Sequence, residues 1–261
     1  MRSALGKTAA TLFNLLFPDD CRVCGRPLQN ALRIPVCEEC LSAPEALLAD
    51  YYCACCRTPF LNSAPLDEEG RCELCRRGLR GFDAAYSFGA YESTLRKLIH
   101  LFKYGRIRPL AARLGELMAS AIPRDQSFDL VVPVPLHWRR RLGRGFNQSE
   151  LLARAVARRY GLRPVNALRR KRSTAVQAGL SHAGRRLNVA GAFIARRTAD
   201  LDGRRVLLVD DVMTTGATLG SCAAALKRAG ARYVAVLTLA RVDRRIGVEP
   251  YASASTAVGV S

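Results

Sequence analysis

One stretch of the chain, residues 206–219 (VLLVDDVMTTGATL), specifies a strand, a turn and a helix in immediate succession. The apolar run 206–209 has the composition of a buried strand, and an amphipathic helical pattern begins after Gly216. The free N–H groups at a helix N-terminus and the helix dipole favour an anion, so the turn is suited to a phosphate. The stretch therefore predicts a parallel α/β sheet with an anion site at the carboxyl end of a strand.

Two acids, Asp210 and Asp211, stand between this strand and the turn. They would repel a lone phosphate, but carboxylates accept hydrogen bonds from sugar hydroxyls and interact with Mg²⁺. A ligand with a phosphate, a sugar and a divalent cation reconciles these features, and phosphoribosyl pyrophosphate (PRPP) with Mg²⁺ is such a ligand. The alternative is a buried strand with a polar end and no ligand.

Positive charge is concentrated in one part of the chain. The formal net charge is +19, and residues 139–197 hold sixteen Lys or Arg against one acid, Glu150. Such a field attracts polyanions, which include nucleic acid and pyrophosphate. The alternative is a solvated basic face of an arginine-rich protein.

Nine of the ten cysteines lie between residues 21 and 75, and eight of them form C-x-x-C pairs. The four pairs are Cys21/Cys24, Cys37/Cys40, Cys53/Cys56 and Cys72/Cys75. Gaps of twelve and fifteen residues within each half suit a double zinc ribbon with four thiolates per Zn²⁺. A disulfide framework is disfavoured by the regular spacing and an expected reducing compartment. The spacing leaves open whether the four C-x-x-C pairs combine into zinc sites in sequence order or in an interleaved order. Cys55 could compete as a zinc ligand. Cys222 is expected to be a buried core residue.

The chain divides by composition into three parts. Residues 1–80 are predicted to form an N-terminal helix and the cysteine-rich module, residues 81–243 the α/β domain, and residues 244–261 a disordered tail. The apolar face within residues 1–17 favours a packing helix over a signal peptide. No run approaches the roughly 20 apolar residues of a membrane span, so we expect a cytoplasmic protein without one.

The predicted elements of the α/β domain alternate between strands and helices. A second buried strand, 128–134, ends in Pro133-Val134-Pro135 and is followed by an arginine cluster that contains Arg140. This arrangement predicts a second anion site opposite the first, suited to pyrophosphate. The remaining predicted strands are 82–91, 165–168 and 232–239, and the helices are 95–104, 110–121, 147–160 (capped by Asn147 or Ser149) and 217–229.

Several of these motifs together resemble one family. The C-x-x-C pairs, Lys103-Tyr104, the P-V-P-L and R-G-F-N-Q runs and the D-D-x-x-T-T-G-A-T motif are similar to those of the ComF/GntX family, over roughly residues 18–241. The segment from Arg172 to Asn188 adds a further match. This resemblance implies a type I phosphoribosyltransferase-like domain with an N-terminal double zinc ribbon.

The resemblance also implies roles for residues of the matching motifs. Asp210 and Asp211 would contact the ribose hydroxyls and Mg²⁺-bound water. The 5′-phosphate would lie on Thr214, Thr215, Gly216, Ala217 and Thr218, and pyrophosphate near Pro133, Val134, Arg140 and Lys103. A mobile loop would close over PRPP and exclude water, with Arg172, Thr174, Gln177, Arg185 and Asn188 as its matching residues.

Two functional readings follow from the resemblance. The first is a PRPP-binding DNA-uptake factor of natural transformation that binds single-stranded DNA through its basic face and ribbons, with the DNA-uptake machinery as a partner. Tyr51, Tyr52 and Phe60 are its predicted base-stacking residues. The alternative is an active phosphoribosyltransferase of nucleotide metabolism with an unknown acceptor. No residue is identified as a general base, so the catalytic residues stay unknown.

Overall fold

The computed structural model describes residues 20–28, 33–78, 81–136, 145–170 and 191–242. Several predicted features lie outside these ranges. They are the N-terminal helix within 1–17, Arg140, the loop residues Arg172, Thr174, Gln177, Arg185 and Asn188, and the tail 244–261.

Within the described residues, the α/β domain is built on a four-stranded parallel sheet with the strand order β3-β8-β7-β4. Its strands are β3 (Ala84–Ala90), β4 (Leu130–Pro133), β7 (Arg205–Met213) and β8 (Tyr233–Arg241). The helices of this domain are α3 (Ser93–Lys103), α4 (Leu110–Ser120), α5 (Gln148–Arg159) and α6 (Ala217–Arg228). A separate antiparallel pair consists of β5 (Leu168–Arg170) and β6 (Phe193–Ala195).

The sheet is buried on both faces, which explains its continuous apolar strands. Alternate residues of β7 point to opposite sides: Leu207 and Val209 pack with residues of α3, α4 and α5, whereas Val206 and Leu208 pack with residues of α6 and the β5–β6 pair. Cys222 of α6 is fully buried in this second layer, as predicted. Burying such side chains contributes about 1.5–3 kcal/mol each.

The cysteine-rich segment packs against the edge strand of this sheet. It contains α1 (Glu38–Ser42), the two-residue strands β1 (Tyr51–Tyr52) and β2 (Pro59–Phe60), and α2 (Glu73–Arg76). The Leu47 N–H donates to the Phe88 carbonyl at 2.7 Å, and the Ala85 N–H of β3 donates to the Cys55 carbonyl at 3.0 Å. These bonds satisfy part of the open edge of β3, which would otherwise expose unpaired backbone groups.

Most predicted elements of the domain are present, with three differences. The strand predicted to end at residue 209 continues to Met213, because β7 keeps pairing with β8 as far as Met213 and Arg241. The strand predicted over 165–168 is displaced to Leu168–Arg170, since its partner is β6. β6 itself was not predicted, because three residues are too few to show the alternation of apolar and polar side chains that marks a strand. Among the described residues, no helix has the length and apolar character needed to cross a membrane.

Candidate functional site

The two acids of β7 lie where β4 has ended and β8 continues. Pro133, the last residue of β4, pairs with Val209, and the Val134 N–H still donates to the Val209 carbonyl at 2.9 Å. Asp210 remains paired with Thr238 of β8 on the other side. Pairing with β4 therefore ends before Asp210 and Asp211, which lie at the edge where parallel α/β sheets bind ligands.

Asp210 is held by the N-terminus of α5. The Ser149 hydroxyl donates to Asp210 Oδ1 at 2.7 Å, and the Asp211 N–H donates to the same oxygen at 2.9 Å. Burial, together with the neighbouring Asp211 charge, raises the pKa of Asp210 to about 7 despite these two bonds. The carboxyl is thus fixed in position, and it holds its proton to a higher pH than an exposed aspartate does.

Asn147 orders the residues around Ser149. Its side-chain oxygen accepts from the Ser149 N–H at 3.2 Å, which confirms Asn147 as the cap of α5. Its side-chain nitrogen donates to the Val134 carbonyl at 3.2 Å. Asn147 therefore ties the turn after β4 to the helix whose Ser149 holds Asp210.

Asp211 contacts a cation from another helix. The Nζ atom of Lys103, at the last position of α3, lies 2.8 Å from Asp211 Oδ1, and both side chains are only 13% exposed. Such a shielded pair is screened by salt far less than a surface pair. Lys103 was predicted beside pyrophosphate, and the structure places it at the same edge of the sheet as the acids.

The hydroxyl-rich turn after β7 has the geometry of an anion site. Gly216 precedes α6 with φ of +78°, a left-handed conformation that glycine adopts without steric cost. Thr214 and Thr218 are exposed, and the Ala217 N–H donates to the Thr215 hydroxyl at 3.4 Å. The first N–H groups of α6 are those that lack partners within a helix, so they can receive phosphate oxygens.

Sequence reasoning did not assign Ser149 or Asn147 to the site. Ser149 was considered only as a helix cap, whereas its hydroxyl bonds Asp210 across 61 positions of the chain. Asn147 belongs to the R-G-F-N-Q run and Ser149 follows it directly, and this position at a helix N-terminus was the available signal. Of the predicted site residues within the described ranges, the acids, the turn 214–218, Pro133, Val134 and Lys103 belong to elements that meet at this edge.

The eight paired cysteines form two separate clusters, and the pairs combine in sequence order. Within each cluster the four sulfur atoms lie within 4.8 Å of one another. The Cys24–Cys37 and Cys56–Cys72 sulfur distances are both 3.7 Å. A tetrahedral Zn²⁺ with Zn–S bonds of about 2.3 Å requires sulfur separations of about 3.8 Å, whereas a disulfide requires about 2 Å. The clusters could therefore bind zinc.

Hydrogen bonds to sulfur support the same interpretation. The Cys37 N–H donates to Cys21 Sγ at 3.3 Å, and the Cys72 N–H donates to Cys53 Sγ at 3.3 Å. A hydrogen bond from Arg26 lowers the pKa of the Cys24 thiol to about 6. N–H donors and cations stabilise thiolates, which are the form that ligates a metal. Cys55 is outside both clusters, and its thiol faces the Phe82 carbonyl at 3.5 Å.

Comparisons with known proteins agree with this architecture. A family model described as the phosphoribosyl transferase domain matches residues 147–254, which include α5 and the whole stretch from β7 to β8. With the parallel sheet and the acid-rich turn, this match defines a protein with a phosphoribosyltransferase-type domain.

Similar curated proteins define the family more closely. The chain is 32% identical over 234 residues to DNA utilization protein YhgH of Escherichia coli O6:H1, covering 87% of this chain and 99% of that protein. It is 34% identical over 178 residues to Competence protein F of Haemophilus influenzae, covering 65% and 78% of the two chains. It is 24% identical over 233 residues to Competence protein ComFC of Streptococcus pneumoniae, covering 85% and 99%. The chain belongs to the ComF/GntX family.

Proposed function

We propose that this protein binds PRPP with Mg²⁺ at the carboxyl edge of the sheet and takes part in the uptake or use of DNA. The observation that carries the PRPP proposal is one juxtaposition. Asp210 and Asp211 lie just beyond the end of β4, and the left-handed Gly216 that precedes α6 follows five residues after Asp211. Carboxylates that can bind a sugar are thus followed, at the carboxyl edge of the sheet, by backbone N–H groups that can bind a phosphate.

Each part of PRPP has a matching group in this arrangement. The 5′-phosphate would accept N–H bonds from the turn 214–218, and the carboxylates would accept bonds from the ribose hydroxyls. The pyrophosphate would lie towards Pro133, Val134 and Lys103, where a backbone turn and a cation are available. Mg²⁺, when bound, would neutralise the pyrophosphate, and oxygen ligands such as the carboxylates suit a hard cation.

Calorimetric titration tests this proposal directly. PRPP is titrated into the protein with and without Mg²⁺, and ribose 5-phosphate and pyrophosphate are titrated separately. We expect saturable Mg²⁺-dependent binding of PRPP that is tighter than binding of either fragment. Absence of binding would contradict the proposal. Pyrophosphate release in the presence of candidate acceptors would add the alternative function, phosphoribosyl transfer.

Substitution of Gly216 by valine should abolish PRPP binding. A β-branched residue at φ of +78° is strained by roughly 1–2 kcal/mol, so the turn must change its shape. We expect affinity to fall by at least about tenfold, which corresponds to roughly 1.4 kcal/mol, with the sheet still folded. Gly161→Val is the matched control, because Gly161 is also left-handed (φ +63°) but follows α5, away from the turn. Equal loss of affinity in both variants would contradict the local role of Gly216.

The proposed DNA partner is supported by charge and by the names of the relatives. Two of the relatives are competence proteins and one is a DNA utilization protein. Sixteen Lys or Arg within residues 139–197 provide contacts for phosphates. We propose that the protein binds single-stranded DNA with little sequence preference, in the cytoplasm and with proteins of the uptake machinery.

The affinity for single-stranded DNA should fall steeply as salt rises. Counterion release gives a slope of log K against log salt of about −0.7 for each phosphate contact on a single strand. Neutralising Arg169, Arg170 and Lys171 should reduce this slope by about 2 and weaken binding to all sequences alike. Fluorescence anisotropy across a salt series measures both quantities. A slope near zero in the unaltered protein would show that phosphates are not the contact.

We further propose that each cysteine cluster holds one structural Zn²⁺, with Cys55 and Cys222 not used as ligands. The support is the fit of the sulfur separations to a tetrahedron and the N–H donors around them. Four-thiolate sites leave no position open for a substrate, so the metal would stabilise the fold and not catalyse a reaction.

A further inference from the structure

Three aromatic rings form a line along α3 and the residues that flank it. The hydroxyl of Tyr91, just before α3, lies 2.9 Å from His100 Nε2, and their ring centroids are 6.3 Å apart. The centroids of His100 and Tyr104 are 5.5 Å apart. Tyr104 follows Lys103 directly, and the Lys103 Nζ atom contacts Asp211. The last ring of the line therefore belongs to the residue next to Lys103, whose side chain reaches Asp211 at the edge where PRPP is proposed to bind.

Tyr91 packs partly against the core, but His100 and Tyr104 are not needed to pack the helix. The buried side of α3 is filled by Leu95, Leu98, Ile99 and Phe102, all at most 4% exposed. His100 is on the exposed side, and Tyr104 is 64% exposed. An aromatic side chain gains stabilisation mainly by losing water, so an exposed ring that continues an aromatic line is suited to a ligand that covers it.

The positive charge around this line of aromatic rings favours a polyanionic ligand. Residues 91–108 contain five Lys or Arg and one acid, Glu92. The Arg96 guanidinium lies 5.9 Å from the centroid of the Tyr91 ring, and Arg106 and Arg108 are exposed just beyond Tyr104. Aromatic rings interleaved with cations are the usual surface for single-stranded nucleic acid, because bases stack while phosphates meet the cations.

We propose that the aromatic line Tyr91–His100–Tyr104 is a base-stacking track for single-stranded DNA that leads to the PRPP site. The proposal deepens the proposed DNA function and rests on it. The rings are tilted by 33° and 59° to one another, so a base stacks on the exposed Tyr104 ring and does not insert between the rings. Phosphates of the same strand then contact Arg106 and Arg108.

The track is tested by anisotropy with a labelled oligothymidine of about 12 nucleotides at low salt. Tyr104→Ala should weaken binding by about 5- to 100-fold, the range measured for loss of one stacked base. Tyr104→Phe keeps the ring and should bind within about twofold of the unaltered protein. Tyr51→Ala removes a second exposed tyrosine (41% exposed), which sequence analysis placed among the base-stacking residues. If the track carries the binding, the loss of affinity is larger for Tyr104→Ala than for Tyr51→Ala.

The outcomes separate this inference from the functions on which it depends. Unchanged Mg²⁺-PRPP binding by Tyr104→Ala would show that the variant is folded. No oligonucleotide binding by the unaltered protein would overturn the DNA proposal itself. Binding that is unaffected by Tyr104→Ala, or that depends on Tyr51 instead, would overturn only the track. Thymidine monophosphate binding as tightly as the oligonucleotide would also overturn it, since the site would then recognise a single nucleotide.

Discussion

Cys56→Ser is expected to unfold the second half of the cysteine-rich segment and to halve the zinc content from two ions per chain to one. Cys56 is fully buried, and its sulfur belongs to the cluster with Cys53, Cys72 and Cys75. A structural zinc contributes apparent free energies of about 10–16 kcal/mol in zinc-finger peptides, comparable to the whole stability of a typical domain. Elemental analysis and thermal unfolding measure the two effects.

The effect should extend into the sheet. Arg241, at the end of β8 and 3% exposed, donates to the Cys56 carbonyl at 2.8 Å and to the Thr58 hydroxyl at 2.7 Å. Loss of the metal would move these acceptors and leave a buried guanidinium with fewer partners, which costs a few kcal/mol. We therefore expect β8 to lose hydrogen-exchange protection near Arg241 in the variant.

The neighbouring Cys55→Ser is the matched control. It makes the same chemical change one residue away, at a thiol outside both clusters. This variant should retain two zinc ions per chain and unfold within a few degrees of the unaltered protein. If Cys55→Ser lost zinc while Cys56→Ser kept it, the assignment of ligands would be wrong. Absence of zinc from protein purified without chelators would contradict the zinc sites altogether.

The features that could be predicted from sequence are those with a local signal. The C-x-x-C spacing predicted tetrahedral clusters because two residues between thiols fix a short turn, and the sulfur atoms of each half indeed lie together. The strand and helix around Gly216 were predicted because an apolar run, acids and hydroxyls follow in a fixed order. The parallel sheet followed from the alternation of such strands with helices.

The features that were missed depend on contacts between distant residues. No local pattern pairs Lys103 with Asp211, which are 108 positions apart, or Ser149 with Asp210. The order of the cysteine pairs also had to come from the structure, because spacing alone permitted an interleaved arrangement. The strand β7 was predicted four residues too short, since Asp210 and Asp211 interrupt its apolar pattern although β8 still pairs with Asp210 and Val212.

The double variant Asp210→Asn, Asp211→Asn is expected to weaken Mg²⁺-PRPP binding by at least about 100-fold. Each carboxylate would supply hydrogen bonds to the ribose hydroxyls, and bonds to a charged group contribute about 1.5–3 kcal/mol. Calorimetry measures the loss, and Asp202→Asn, an exposed acid in the turn before β7, should leave the affinity unchanged. Equal affinity in the double variant and the unaltered protein would show that the acids do not bind PRPP.

The single variant Asp210→Asn should stabilise the PRPP-free protein, although it weakens PRPP binding. The folded-state pKa of Asp210 is about 7, above its unfolded value of 3.8, so ionisation of this carboxyl costs folding free energy as pH rises from about 4 to 7. Asparagine keeps an oxygen that can accept from the Ser149 hydroxyl and the Asp211 N–H, but it carries no charge. The variant should therefore be more stable at pH 8, by up to about 4 kcal/mol, with the gain vanishing as pH falls towards the unfolded-state pKa.

Thermal unfolding at pH 5 and pH 8 measures this gain. A residue whose neutral replacement stabilises the fold but removes ligand binding is retained for the ligand and not for folding. Lower stability of Asp210→Asn at pH 8 would instead show that the carboxylate has a structural role, with its bond from Ser149 as the main contribution. The combination of stabilisation at pH 8 and lost PRPP affinity would identify Asp210 as a binding residue.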